Sequence, residues 1–112
     1  MALPKRLRLT KEKEFETVFK NGRKFVSKYF IVYYYISDNT DIGQKFGVIA
    51  SKKIGGAVKR NRAKRLIQEV LRQEFEKFRN NIWIIVITRQ KILEVKPEIL
   101  RNELKEIRAI YK

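Results

Sequence analysis

The chain has 112 residues, 44% of them hydrophobic, and its 27 Lys and Arg against 12 Asp and Glu give a formal net charge of +15. This length allows one domain with a thin core, and so large a basic excess favours a polyanionic partner such as a nucleic acid. The sequence contains no Cys and no His, which excludes disulfides, thiolate metal sites, thiol nucleophiles and the usual general base.

No segment of the sequence resembles a targeting or membrane-spanning element. Residues 1–9 lack the apolar run of a signal peptide, and the longest apolar run, Ile82–Ile87, is far shorter than a membrane span. We therefore expect a cytoplasmic protein that has no membrane partner.

The first predicted element is a helix that begins after Thr10 as N-cap and ends at Gly22. Phe15, Val18 and Phe19 recur at the spacing of a single helix face. This face is expected to pack against the rest of the protein.

A strand is predicted over Phe25–Ser37, which is rich in aromatic and β-branched residues. The turn Asp38–Gly43 then leads into a second strand near Phe46–Ser51, and its loop residues predict a hairpin. Both faces of the first strand are apolar or aromatic. Alternation places Phe30, Val32, Tyr34 and Ile36 on one face, and Tyr29, Ile31, Tyr33 and Tyr35 on the other.

A long helix is predicted from Ala57 to about Phe78, and it has an apolar stripe along one side. Asn61 and Arg65 lie on the opposite side of the helix, and Arg62 lies on the flank of the stripe. The stripe itself consists of Ala63, Leu66, Ile67, Val70, Leu71 and Phe78.

The remaining elements are a buried central strand over Ile82–Thr88 and a last helix that has Pro97 in its first turn. The inner face of that helix is expected to carry Ile99 or Leu100, then Leu104, Ile107 and Tyr111.

These elements predict an α/β (α+β) two-layer sandwich within a single domain over residues 1–112. The expected order is α-β-β-β-α-β-α, with three helices and a mixed sheet of about four strands covered by helices on one face.

Positive charge is concentrated in one stretch, because no acid occurs between Asp41 and Glu69. Cations in the first turns of a helix oppose its dipole, at a cost of a few tenths to about 1 kcal/mol each. A bound polyanion reverses the sign of that effect, so the stretch predicts a nucleic-acid contact. Its cations are Lys45, Lys52, Lys53, Lys59, Arg60, Arg62, Lys64 and Arg65.

Aromatic residues are interleaved with cations in the first helix and strand. Phe15, Phe19 and the strand tyrosines alternate with Lys20, Arg23 and nearby lysines. Aromatic faces flanked by cations can stack unpaired bases, although helix and strand aromatics are also ordinary core residues. No catalytic residue and no metal ligand is predicted, since the only aspartates, Asp38 and Asp41, lie in a turn.

The fifteen residues Lys52–Leu66, KKIGGAVKRNRAKRL, resemble the signature of the protein component of bacterial ribonuclease P. That family has Arg-Asn-Arg in a helix, here residues 60–62, after a Lys-Lys-Ile-Gly turn, here residues 52–55. The likeness covers about residues 6–90, and Gly56 departs from it where the family commonly has Asn. The opening also matches, at Arg6, Leu7, Arg8, Phe15, Val18, Phe19 and Gly22.

The resemblance implies an RNA subunit that carries the catalytic centre and a protein that assists removal of the 5′ leader from precursor tRNA. It also implies magnesium as a requirement of the RNA and the holoenzyme, and an unusual left-handed β-α-β crossover. The leader would bind at Phe15, Phe19 and Tyr33. Contacts to the catalytic RNA would come from Lys52, Lys53, Arg60, Asn61, Arg62, Lys64 and Arg65.

A ribosomal or other structural RNA-binding protein is the alternative, and a nucleoid DNA-binding protein is the third possibility. Neither of them needs an aromatic cleft on a surface separate from the basic helix.

Overall fold

The computed structural model describes residues 3–112 of the chain, within which three helices and four strands form an α+β fold. The predicted order of elements is confirmed. The bounds are α1 (Glu12–Asn21), β1 (Arg23–Val26), β2 (Phe30–Ile36), β3 (Lys45–Ala50), α2 (Ala57–Glu74), β4 (Ile82–Thr88) and α3 (Pro97–Lys105).

Helix α1 ends at Gly22 as predicted, but it begins one residue later than expected. Lys11, not Thr10, is the N-cap residue. The Glu14 side chain replaces the Thr10 hydroxyl as the cap, because one of its carboxylate oxygens accepts from the backbone N–H groups of Thr10 (3.1 Å) and Lys11 (3.0 Å). A carboxylate in the first turn also interacts favourably with the helix dipole.

Residues 25–37 form two antiparallel strands, β1 and β2, rather than one continuous strand, and these two with β3 are the three strands that the predicted order places before the long helix. The hydroxyl of Ser27 accepts from the N–H groups of Tyr29 (3.1 Å) and Phe30 (3.2 Å), which turns the chain between the strands. Tyr29 therefore leaves its predicted face and packs against the same core as Phe30. From Phe30 to Ile36 the predicted alternation is retained.

The predicted hairpin between β2 and β3 is also wrong, because β4 lies between them in the sheet order β1-β2-β4-β3. Strand β4 pairs antiparallel with β2 and parallel with β3. Turn residues show where a chain reverses but not which strand it then meets. Strand β4 is apolar on both faces, which favours the centre of the sheet, as predicted.

The β3-α2-β4 unit is a left-handed crossover. The Phe46 ring packs in the core that contains α2, and the Phe46 carbonyl accepts from the N–H of Leu9 (2.9 Å) at the outer edge of β3. Consider a β-strand of L-residues that runs upward. A residue whose side chain faces the viewer has its backbone carbonyl pointing to the right. Seen from α2, the outer edge is therefore on the right and β4 on the left. This hand opposes the strong right-handed preference and agrees with the family resemblance.

The main core lies between the sheet and helices α2 and α3. Helix α1 covers part of the other sheet face, where Val18 packs with Leu9 and Ile85, so the expectation of helices on one face only is wrong for α1. The predicted α2 stripe is confirmed, although α2 ends at Glu74. After a 3₁₀ turn, Phe78 packs against Phe46, with ring centroids 5.8 Å apart.

Helix α3 begins at Pro97, as predicted. Of the two alternatives for its inner face, Leu100 is fully buried, whereas Ile99 is 41% exposed. Leu104 and Ile107 are buried as expected, and Tyr111 packs against the same core.

Candidate RNA interface

The turn before α2 directs two lysines outward. Ser51 begins it, since its hydroxyl accepts from the N–H of Lys53 (3.2 Å) in a short 3₁₀ turn. Ile54 is only 3% exposed and anchors the turn in the core, while Lys52 and Lys53 are exposed. The apolar residue of this motif thus fixes the turn, and its cations remain free to meet a ligand.

Two glycines connect this turn to α2. Gly55 has φ +134°, in the region that favours glycine, and a Cβ there would lie 3.0 Å from Cδ of Lys59. Gly56, where the family commonly has Asn, is the N-cap residue with φ −71° and open space around it. The replacement of Asn by glycine at position 56 therefore leaves the backbone path unstrained.

The start of α2 is a concentrated cationic surface. Asn61, Arg62 and Arg65 are exposed, as the helical spacing predicted, and Arg60 and Lys64 are partly exposed. The first turn contains no acid, and no side chain caps its N–H groups. Val58 is 83% exposed beside these cations. All seven residues predicted to contact the catalytic RNA thus lie on or just before the first turns of α2.

The three residues predicted to bind the leader lie on the sheet face that α1 covers. Phe19 and Tyr33 meet edge to face, with centroids 4.9 Å apart, and Nζ of Lys24 lies 5.6 Å from the centre of the Tyr33 ring. Phe15 lies over Gly47, where a Cβ would come within 2.9 Å of its Cε1 atom. Phe19 is 41% exposed, while Phe15 and Tyr33 are half-buried.

Beside α1, an open groove of about 440 Å³ crosses this face at one end of the sheet. We call it the transverse groove. Its floor is apolar and cations lie around it, a combination suited to single-stranded nucleic acid. Its main lining residues are Lys24, Val26, Ile31, Lys53, Ile87 and Arg89.

Sequence reasoning missed most of this lining. The sequence predicted that Ile31 shares a strand face with Tyr33. It did not predict that Ile87 lies beside Ile31, which follows from their pairing in the register of β2 and β4. Arg89 follows β4 directly, so its position also depends on that pairing. Lys53 was predicted as a contact to the catalytic RNA, and the structure also places it at one end of the groove.

A charged contact ties the start of α1 to the sheet, at the end of β3 away from the transverse groove. The Glu14 carboxylate pairs with the Lys45 ammonium, which lies 5.4 Å from the Trp83 ring centre. Desolvation alone would raise the pKa of Glu14, but the Lys45 hydrogen bond and the backbone N–H groups of Lys11 and Thr10 lower it to about 2. Glu14 is therefore ionised at neutral pH and holds the start of α1 against β3.

The described residues include no group of three or more acids that could hold a metal ion. Asp38 and Asp41 are exposed near the turn after β2. No helix within residues 3–112 is long and apolar enough to cross a membrane.

The fold and these surfaces define a small basic α+β protein with a left-handed crossover, a cationic helix start and an apolar groove bordered by cations. The Ribonuclease P family profile matches residues 3–112. The chain belongs to this family and is a ribonuclease P protein component. The match sets aside the ribosomal and nucleoid alternatives.

Individual relatives agree with this assignment. The ribonuclease P protein component of Bacillus pumilus is 38% identical over 105 residues, which cover 94% of this chain and 87% of the relative. The RNase P protein structure from Staphylococcus aureus has 30% identity and a TM-score of 0.75, covering 100% of this chain and 97% of the other. The structure from Thermotoga maritima has 26% identity and a TM-score of 0.74, with 91% and 94% covered.

Proposed function

We propose that this protein, acting as a single RNA-binding domain over residues 1–112, binds the ribonuclease P catalytic RNA through the start of α2 and the 5′ leader of precursor tRNA through the transverse groove. The holoenzyme would cleave the leader as an endoribonuclease, with its catalytic centre in the RNA. Precursor tRNA is an intracellular substrate, so the proposal includes a cytoplasmic location.

The observation that carries this proposal is the position of Lys53. It follows Lys52 in the motif turn and also lines the transverse groove. One continuous cationic surface can therefore contact two RNAs. The α2 start offers charges and free N–H groups for phosphates of a folded RNA. The groove offers an apolar floor for unpaired bases, which are found in a leader but not in a duplex. The Tyr33 ring does not line the groove but lies next to it, under Lys24.

In this role the protein contributes positioning and charge neutralisation. Cations around the groove would hold the leader phosphates near the catalytic RNA. The precursor tRNA would then be held in the right orientation for cleavage, which lowers the entropic cost of the reaction. Magnesium enters as a requirement of the RNA and the holoenzyme. The described acids form no group suited to hold it, so no step is assigned to a protein-bound ion.

The experiment that tests the proposal compares affinities for precursor and mature tRNA, with the RNA subunit alone and with the assembled holoenzyme. Adding the protein should strengthen precursor binding more than mature tRNA binding, because only the precursor has a leader. Equal strengthening of both would contradict leader recognition. No binding between the protein and the RNA subunit would contradict the role of α2.

A further inference from the structure

A second groove lies at the β1 edge of the sheet, on the face opposite the transverse groove, and encloses about 460 Å³. We call it the edge groove. Phe25 in its wall packs against the main core, and Glu103 belongs to α3, so both lie on the α3 side. The lining consists of Phe25, Val26, Ser27, Lys28, Arg89, Lys91 and Glu103.

The edge groove is basic. Lys28, Arg89 and Lys91 face one carboxylate, that of Glu103. Lys28 and Lys91 are exposed, and neither ammonium has a carboxylate partner among residues 3–112. Arg89 is fixed in place, because its side chain donates to the Ser27 carbonyl (2.9 Å). Three cations against one acid suit a polyanion, and the half-buried Phe25 ring adds an apolar surface.

The two grooves are continuous over the edge of the sheet, because Val26 and Arg89 line both of them. Val26 is 54% exposed at this ridge. A nucleic-acid strand that leaves the transverse groove beyond β1 therefore reaches the edge groove next.

The transverse groove has distinguishable ends. It runs from Lys53, just after β3, to Lys24 and Val26 in β1. Three strand spacings of about 4.8 Å make this crossing about 14 Å long, enough for only a few nucleotides. The Lys53 end adjoins α2, where the proposed function places the catalytic RNA. The cleavage site should therefore lie at the Lys53 end, and the upstream leader should leave over β1.

We propose that the edge groove binds the upstream nucleotides of leaders that are longer than the transverse groove. This inference rests on the proposed function, since it extends the path of the same RNA strand. The occupant is single-stranded RNA, held mainly through its phosphates by Lys28, Arg89 and Lys91, and its binding depends little on base identity.

The test uses reconstituted holoenzyme and precursor tRNAs with leaders of about 4 and about 12 nucleotides. The variant Lys28→Ala with Lys91→Ala should weaken binding of the long leader about 3- to 10-fold and leave the short leader within about twofold. Its salt dependence for the long leader should fall by about 1.4 units of slope, about 0.7 for each lost phosphate contact. The charge-matched control is the double variant Lys105→Ala with Lys112→Ala, because neither lysine lines either groove.

Glu103 provides a test of opposite sign. Glu103→Gln removes the one carboxylate of the edge groove and should tighten binding of the long leader alone. Glu98→Gln, on the exposed surface of the same helix, is its control. If both the lysine and the glutamate variants change short and long leaders equally, or change neither, the edge groove is not on the leader path.

Failure of this inference is distinguishable from failure of the proposed function. If wild-type holoenzyme binds the short-leader precursor no better than mature tRNA, the proposed function itself is contradicted. If the short leader is recognised but lengthening it adds no affinity in wild type, only the edge groove proposal is overturned.

Discussion

Phe19 of α1 and Tyr33 of β2 meet edge to face, with their ring centroids 4.9 Å apart and their planes at 76°. One ring comes from the helix and the other from the sheet, so this contact joins α1 to the sheet face that carries the transverse groove. Phe19 is also 41% exposed, which leaves part of its surface open to a base. Such a pair contributes about 0.5–1.5 kcal/mol beyond its buried area.

Tyr33→Ala should weaken holoenzyme binding of leader-bearing precursor tRNA by about 1–3 kcal/mol and change mature tRNA binding little. Stacking is lost with the ring, and so is the cation–π contact with Lys24. The affinity ratio of precursor to mature tRNA measures this effect. Tyr33→Phe keeps the ring and is the control. An unchanged ratio together with a lower melting temperature would show that the ring only serves packing.

Arg60→Ala with Arg62→Ala should weaken binding to the catalytic RNA more than binding to the leader. Loss of two phosphate contacts should flatten the salt dependence by roughly two units of slope. Binding of the RNA subunit, titrated with salt, measures the change. Arg101→Ala with Arg108→Ala removes two cations elsewhere and should have little effect. Unchanged affinity of the Arg60 and Arg62 variant at moderate salt would remove these residues from the RNA contact.

Glu14→Gln should destabilise the fold by about 1–3 kcal/mol near neutral pH, because the Lys45 ammonium loses its carboxylate partner. The folded pKa of about 2 lies below the ordinary value of 4.5. The stabilisation is therefore complete above about pH 4.5 and is lost as the pH falls toward 2. Denaturant unfolding at several pH values should show the two proteins converging in acid. Glu16→Gln, on the exposed face of α1, should match wild type, and a pH-independent gap would contradict the assignment.

Gly22→Ala should destabilise the protein by about 1–3 kcal/mol through overpacking. A Cβ at this position would collide with the Val18 carbonyl oxygen and lie 2.6 Å from that of Tyr34, and both are backbone atoms that cannot move freely. Gly56→Asn has open space and should stabilise α2 by a few tenths of a kcal/mol as a better N-cap. Thermal unfolding measures both changes, and equal melting temperatures for the two variants would contradict this account of the turns.

Local signals in the sequence were sufficient to predict the three helices, including the end of α1 at Gly22 and the start of α3 at Pro97. They were insufficient for strand pairing. The β2·β4 partnership brings Ile31 beside Ile87, and no local pattern encodes a contact between segments so far apart. Most of the transverse groove was missed for the same reason. The basic helix was predictable because its charges follow one another in the chain.

The left-handed crossover followed from the family resemblance rather than from any pattern of residues. Backbone chirality favours the opposite hand, and only the position of the Phe46 carbonyl relative to α2 reveals it. The turn at Ser27 was not predictable either, because the residues on both sides of it favour strands and their pattern is that of one continuous strand.

If the protein assists cleavage by a catalytic RNA, the two must act together on precursor tRNA. Cleavage of precursor tRNA at low magnesium tests it most directly, with the RNA subunit alone, the rigorously RNA-free protein alone, and the two combined. Efficient cleavage at the mature 5′ junction is expected only in the combined reaction. Correct cleavage by the protein alone, or no gain when the protein joins the RNA, would contradict it.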